Sequence, residues 1–411
     1  MTEINIKDNK RIICENNKIP SLDIDEWSCD WMIYKIPLDM LYYNDWNTRI
    51  VTAKSKYESE NDVKLSDLFN QGKIEEYNKI IHQLVKNWNL VKFKSTLWDI
   101  EKFWQKEIWY VLSDWRVIDW NRRFTCLREL KQTKGLPKFD YFRAVIIDKD
   151  TADPQQIKNL EIRTQLWKDE KVWYDPIDEY IWLYLDVKEW HTNIENYATS
   201  RKMTDKAVEK MMNIAKLIVE YLDFINASWR YYIAQESKLY WLFVEAYNRT
   251  AKIRDNKEWR RDAKIAIFDW ILLKWNWDKV REIRPFIDDI ILKKERFNNF
   301  FDEYYDSTCK LHDILDGENN VTNEFISKNI RNKNEFSKKI DNLVEEYWHE
   351  ASIEKEKNEP LKVLEKTNKE FNKLDYDLIP RLKGSLKEDF LKELWRIQDK
   401  VDEIKDIINK W

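Results

Sequence analysis

Val111–Leu130, VLSDWRVIDWNRRFTCLREL, is the stretch whose reading decides the fold. Ile108–Leu112 and Arg116–Asp119 are rich in β-branched and apolar residues, which predicts two short strands around Ser113-Asp114-Trp115. Phe124, Leu127 and Leu130 then fall on one face at helical spacing. A strand that turns abruptly into a helix gathers unpaired N–H groups and the positive end of a helix dipole at one point. Arg122 and Arg123 lie on that first helical turn, so the spot suits an anion, a phosphate foremost. The plain alternative is two arginines that face water.

Two positions sit badly in this pattern. A two-residue hairpin turn favours Asp-Gly, because both central residues need positive φ, and here it is Asp114-Trp115. A backbone that must approach a phosphate also favours glycine, and here it has Trp120. The chain as a whole carries 4 glycines and 22 tryptophans in 411 residues, where glycine ordinarily makes up about 7%. Tryptophan recurs in turn-like company: Asn44-Asp45-Trp46-Asn47, Lys188-Glu189-Trp190-His191, Ala227-Ser228-Trp229 and Lys274-Trp275-Asn276-Trp277-Asp278. Those are settings in which glycine ends helices and closes turns. The expectation is that most of these positions are glycine in the living cell, through a UGA codon decoded as glycine. Trp348, Trp395 and Trp411 lie in helical patterns and fit as tryptophan.

With glycine at 115 and 120 the stretch resembles the ParB-like N-terminal domain of the partition-protein and sulfiredoxin superfamily, whose signature is a Gly-x-Arg-Arg turn opening a helix. Tyr34–Leu41 followed by Asn47-Thr48-Arg49-Ile50 resembles that family's opening strand and Asn-x-Arg box. Thr96–Ile100 through Phe103-Trp104-Gln105 resembles its helix ending in Gly-Gln. The resemblance spans about residues 30–230. It implies an α+β fold with a small mixed sheet, then an all-α helix-turn-helix region and a long helical C-terminal part. It also implies a nucleoside triphosphate, CTP first, held with Mg at Trp120-Asn121-Arg122-Arg123, with Arg49, Glu161 and Arg163 nearby. A helix that starts at Asp153-Pro154 carries the last two. The family's Glu-Asn-x-x-Arg box keeps its acid here at Glu161, the candidate catalytic residue. Ile162 and Arg163-Thr164-Gln165 depart from the box, which speaks against metal-dependent hydrolysis. The alternative is that Glu161 and Arg163 are solvated helix charges.

The length predicts two or three domains. A net charge of −4 gives no global basic signal, so any DNA contact must come from a local patch. Cys14, Cys29, Cys126 and Cys309 have neither metal-type nor disulfide-framework spacing; with the polar start Met1–Asn5 this predicts a reducing, cytoplasmic setting. No apolar run approaches the length of a membrane span, and four scattered histidines argue against a metal site.

In chain order, 1–31 is a polar arm or an added edge strand, and 32–150 the ParB-like domain. Its strands fall at 32–36, 108–112, 116–119 and 139–147 and its helices at 77–85, 97–103 and 121–133. Asn44–Gln71 reads as a charged connection. Residues 151–227 are helical. Asp175-Pro176 caps a helix to Lys188, and helices at 193–199 and 204–224 flank Ser200-Arg201-Lys202-Met203. That is a helix-turn-helix shape. Arg201, Lys202, Lys206 and Lys210 are its candidate contacts to double-stranded DNA; the alternative is a linker domain whose lysines only solubilise it. Residues 228–320 form an aromatic-rich helical domain. Residues 321–411 form a charged hairpin or coiled coil with breaks at Pro360 and Pro380 and a capping box at Ser385–Glu388. Phe390, Leu394, Ile397, Val401, Ile404, Ile408 and Trp411 make a heptad seam. It needs a partner, from this chain or from a second copy in a homodimer.

Three functions follow. The first is a DNA-binding protein with a nucleotide-responsive switch. The second is a superfamily enzyme: a nuclease, a phosphotransferase or a nucleoside triphosphatase (CTPase). Sulfiredoxin chemistry needs a cysteine where this chain has Asn121. The third is a non-catalytic DNA-binding scaffold.

Overall fold

Apolar and β-branched runs near the N-terminus pair into one sheet: β1 (Ile13–Ile19), β2 (Trp31–Pro37), β3 (Trp109–Leu112) and β4 (Tyr141–Ile147), in the order β1-β2-β4-β3. The computed structural model describes residues 10–19, 31–45, 50–118, 120–148, 156–157, 160–161, 175–189, 192–253, 256–274 and 280–410. β3 runs parallel to β4 and the other pairs are antiparallel, so the sheet is mixed. The rest of the described chain is helical, and the fold class is α+β. β1 is an edge strand, tied on by Glu15, which meets Arg143 at 2.6 Å and Lys35 at 3.2 Å.

β3 is buried on both faces, which is why its sequence is continuously apolar. Trp109 and Val111 join Phe124, Leu127, Phe139 and Phe142 on one side. Tyr110 and Leu112 join Ile118, Val145, Ile147 and Leu160 on the other. The second expected strand, 116–119, is shorter than a strand. Residues 116–118 fold back on β3 through Leu112 N–H to the Arg116 carbonyl (2.9 Å) and Ile118 N–H to the Tyr110 carbonyl (3.1 Å).

The expected connection at 44–71 contains two helices, α1 (Val51–Asn61) and α2 (Leu65–Asn70). The buried face of α1 is Val51, Thr52, Ser55 and Glu58. A face that small and polar leaves no apolar period to read. α3 (Ile74–Trp88) and α4 (Leu90–Phe103) follow and run longer than expected. α5 (Asn121–Lys134) stops at Gly135, which takes the left-handed conformation of a helix end.

Beyond β4 come α6 (Pro176–Lys188), α7 (Ile194–Arg201), α8 (Asp205–Phe224), α9 (Tyr232–Glu236), α10 (Tyr240–Thr250) and α11 (Lys257–Leu273). α12 (Val280–Pro285), α13 (Lys294–Asp316), α14 (Asn323–Ile326), α15 (Asn334–Phe371) and α16 (Ser385–Asn409) complete the chain. Asp175, Asn193 and Thr204 cap α6, α7 and α8 through their side chains. The helical core runs from Ile177 to Tyr347 and takes in Val51 of α1. Asp178 fastens that junction: it accepts from Thr52 N–H (3.0 Å), Thr52 Oγ1 (2.7 Å) and Gln235 Nε2 (2.8 Å). Met1–Trp348 is one compact unit and His349–Trp411 a second.

α15 runs through Pro360 without the expected break. α16 starts from Gly384 with no side-chain cap, so the capping box at Ser385 is not formed. Its seam residues Leu394, Ile397, Val401, Ile404 and Ile408 are exposed. Among the described residues no helix is long and apolar enough to cross a membrane.

Candidate functional site

The loop between β3 and residues 116–118 is Ser113-Asp114-Trp115, closed by Trp115 N–H to the Leu112 carbonyl at 2.8 Å. It holds three residues where sequence reasoning expected two, and only the last is left-handed, Trp115 at φ 77°. Trp120, at φ 79° and ψ 22°, is the N-cap of α5. Its carbonyl accepts the first helical bond, from Phe124 N–H at 2.9 Å. Its indole offers no acceptor to the amides of the first turn, so the helix begins without a side-chain cap.

Three buried side chains meet beside that helix start. Asn44 Nδ2 donates to the Ile118 carbonyl (2.9 Å) and to Glu161 Oε1 (2.8 Å). Asn121 Nδ2 donates to the Asn44 carbonyl (2.6 Å), and Asn44 N–H donates back to Asn121 Oδ1 (3.4 Å). Exposure is 3% for Asn44, 1% for Asn121 and 5% for Glu161, so these bonds form away from water. α3 holds the segment in place. Tyr43 N–H donates to Asn78 Oδ1 (3.1 Å), Asn78 Nδ2 to the Leu41 carbonyl (3.0 Å), and the Tyr77 hydroxyl to the Tyr43 carbonyl (3.1 Å).

A polar chain continues behind Asn121. Thr125 Oγ1 donates to the Asn121 carbonyl (2.8 Å) and lies 3.0 Å from the Tyr43 hydroxyl, which lies 3.2 Å from His82 Nδ1. His82 Nε2 reaches Glu129 at 3.2 Å. Burial lowers the His82 pKa against the opposing pull of Glu129.

Glu161 and Asn121, separate candidates in the sequence, thus meet on one residue. Arg122 is half-buried on the same turn. Arg123 is drawn aside: its Nη1 donates to Glu107 Oε2 at 2.9 Å, and its guanidinium lies 4.2 Å from the centre of the Trp120 ring. Trp120 in turn stacks on Trp109 at 6.1 Å. Arg49 and Arg163 lie outside the described residues. Asn44 was not a sequence candidate. Its partners lie 77 and 117 residues away, a separation no local pattern records.

Cys126 is fully buried, with its thiol 3.8 Å from the Phe93 carbonyl, and burial pushes its pKa up to about 12. It therefore supplies no thiolate near neutral pH. Among the described residues no group of three histidine, cysteine or acidic side chains is placed to hold a metal. A phosphate-bound Mg needs only one or two protein carboxylates, and Glu161 fits that requirement.

The second candidate site is the α7–α8 pair. α7 ends at Lys202, left-handed at φ 53° and ψ 41°, and Thr204 Oγ1 opens α8 by accepting from Ala207 N–H. Lys202, Lys206 and Lys210 are exposed. Arg201 faces inward instead, bonded to Glu179 and to the Tyr197 hydroxyl (3.2 Å). It anchors α7 to α6. The chain matches no protein-family model, no curated protein and no solved structure.

Proposed function

We propose that this is a DNA-binding protein of ParB-like type whose N-terminal region binds a nucleoside triphosphate, CTP first, as a switch for DNA engagement. The observation that carries the reading is the buried Asn44–Asn121–Glu161 cluster beside an uncapped helix start bearing Arg122 and Arg123. The positive end of a helix dipole and a guanidinium are groups a phosphate favours. In this reading Arg122 meets phosphate oxygens and Glu161, steered by Asn44, faces their Mg. Lys202, Lys206 and Lys210 meet DNA phosphates, with Arg201 holding the turn's shape. The exposed seam on α16 pairs two copies. The second reading is an enzyme, a nuclease or phosphotransferase with Glu161 as its acid–base residue, favoured by the burial of that carboxylate.

Calorimetric titration of the Trp120→Gly protein with each of the four triphosphates and Mg tests the first reading. CTP should give heat, and Arg122→Ala on the same background should weaken binding by about tenfold or more. No heat from any of the four would overturn the switch and leave the scaffold.

A further inference from the structure

Fourteen of the 22 tryptophans have a described backbone. Ten of them, from Trp31 in β2 to Trp395 in α16, lie inside helices or strands. The other four are Trp104, Trp115, Trp120 and Trp229, all in connections. Every one of these has a positive φ: 57°, 77°, 79° and 59°. Only a few per cent of non-glycine residues have such a φ, and Asn, Asp and His lead among them. Four out of four is not what an indole-bearing residue does. It is what Gly72, Gly135 and Gly384 do, at 73°, 58° and 58°.

Each of the four also holds a backbone role that belongs to glycine. Trp104 ends α4 at ψ −155°, in a corner of backbone space populated essentially by glycine alone. Its indole Nε1 is buried there with no hydrogen-bond partner. Trp115 is the left-handed third residue of a three-residue hairpin loop, the position of a glycine bulge. Trp120 joins a hairpin to a helix start. Trp229 is the third residue of a turn closed by Arg230 N–H to the Ala227 carbonyl at 3.1 Å, where positive φ calls for glycine.

We infer that positions 104, 115, 120 and 229 are glycine in the protein as its own cell makes it, each encoded by a UGA triplet that the cell decodes as glycine. Composition pointed at tryptophan in general; the backbone selects these four. The inference does not depend on any nucleotide being bound. Its local consequence at 120 is the removal of the indole that packs against both the Trp109 ring and the Arg123 guanidinium.

The test is peptide mass spectrometry of the full chain isolated from its source cells, read beside the coding DNA. The expected result is that peptides covering the four positions are lighter than the tryptophan form, each by the exchange of an indolylmethyl group for hydrogen, with TGA at each codon. Tryptophan at these positions, encoded by TGG, overturns the inference.

Discussion

Residues 10–148 reverse direction through a hairpin loop and a strand-to-helix junction as well as at helix ends, whereas residues 176–348 reverse direction at helix ends. Both kinds of reversal use left-handed residues. In the helical region these are Lys202, Asn226, Trp229 and Lys238. In the sheet region they are Asp62, Gly72, Trp104, Trp115, Trp120 and Gly135. The difference lies in where the side chain goes. A helix end lets Lys202 point into water. The loops against the sheet bury what they carry: Trp115 is 8% exposed and Trp120 6%. A shortage of glycine is therefore more tolerable at an exposed helix end such as Lys202, where mainly the backbone strain is at stake. Around a small sheet it sets both the strain and the packing.

Buried polar groups divide the two regions as well. The sheet region buries neutral amides that bond to backbone, Asn121 to Asn44 and Asn78 to residues 41–43, beside the Glu58 carboxylate, which accepts from Leu65 N–H at 3.0 Å. The helical region buries carboxyls. Asp269 lies 3.0 Å from His312, and burial raises the Asp269 pKa while its bond to Asp269 raises that of His312.

The largest effect that can break this comparison is a pair of glycine substitutions. Trp182→Gly, inside α6 and 3% exposed, should cost about 3–5 kcal/mol in urea unfolding, through the cavity it leaves. Trp104→Gly should cost nothing and gain about 1–3 kcal/mol by relieving its backbone. Equal losses at the two positions would mean that the left-handed tryptophans are no more strained than the helical ones.

A smaller effect tests the buried carboxyls. Burial pushes the Asp178 pKa up to about 7. A folded pKa raised above the unfolded value makes the contribution complete below about pH 4 and lost as pH rises through about 7. Asp178→Asn keeps a neutral group there, so stability should vary less between about pH 6 and 8, by about 1 kcal/mol. An unchanged profile in thermal melts would show that Thr52 and Gln235 do not hold a neutral carboxyl.

The smallest effect on folding belongs to the exposed left-handed lysine. Lys202→Ala with Lys206→Ala should leave stability within about 0.5 kcal/mol. Duplex binding should weaken, and the slope of log affinity against log salt should flatten by about two. A slope unchanged in fluorescence titrations would remove these lysines from the DNA-facing surface.

Helices with their own local signals were legible residue by residue. The caps at Asp175, Asn193 and Thr204 bond three residues ahead or fewer, so neighbouring letters carry the whole interaction. β3 and β4 were legible as apolar runs, and α5 from the spacing of Phe124, Leu127 and Leu130. α1 was not, because its buried face is polar and small. Pro360 misled for a related reason. A proline reads as a break, yet α15 continues through it.

Composition and local pattern thus determined the helices that carry their own caps or apolar spacing, the arginine turn after a strand and the suspicion attached to tryptophan. Tertiary structure decided which distant groups meet and which backbones are left-handed. Asn44 reaches Glu161 only because the chain closes 117 residues into one contact. Trp104, which ends the helix that holds Trp98, is set apart from it by the sign of φ. Neither closure nor dihedral is written in the identity of a residue. Both follow from the packing of segments that are far apart in the chain, where the free energy of burial outweighs what each residue prefers locally.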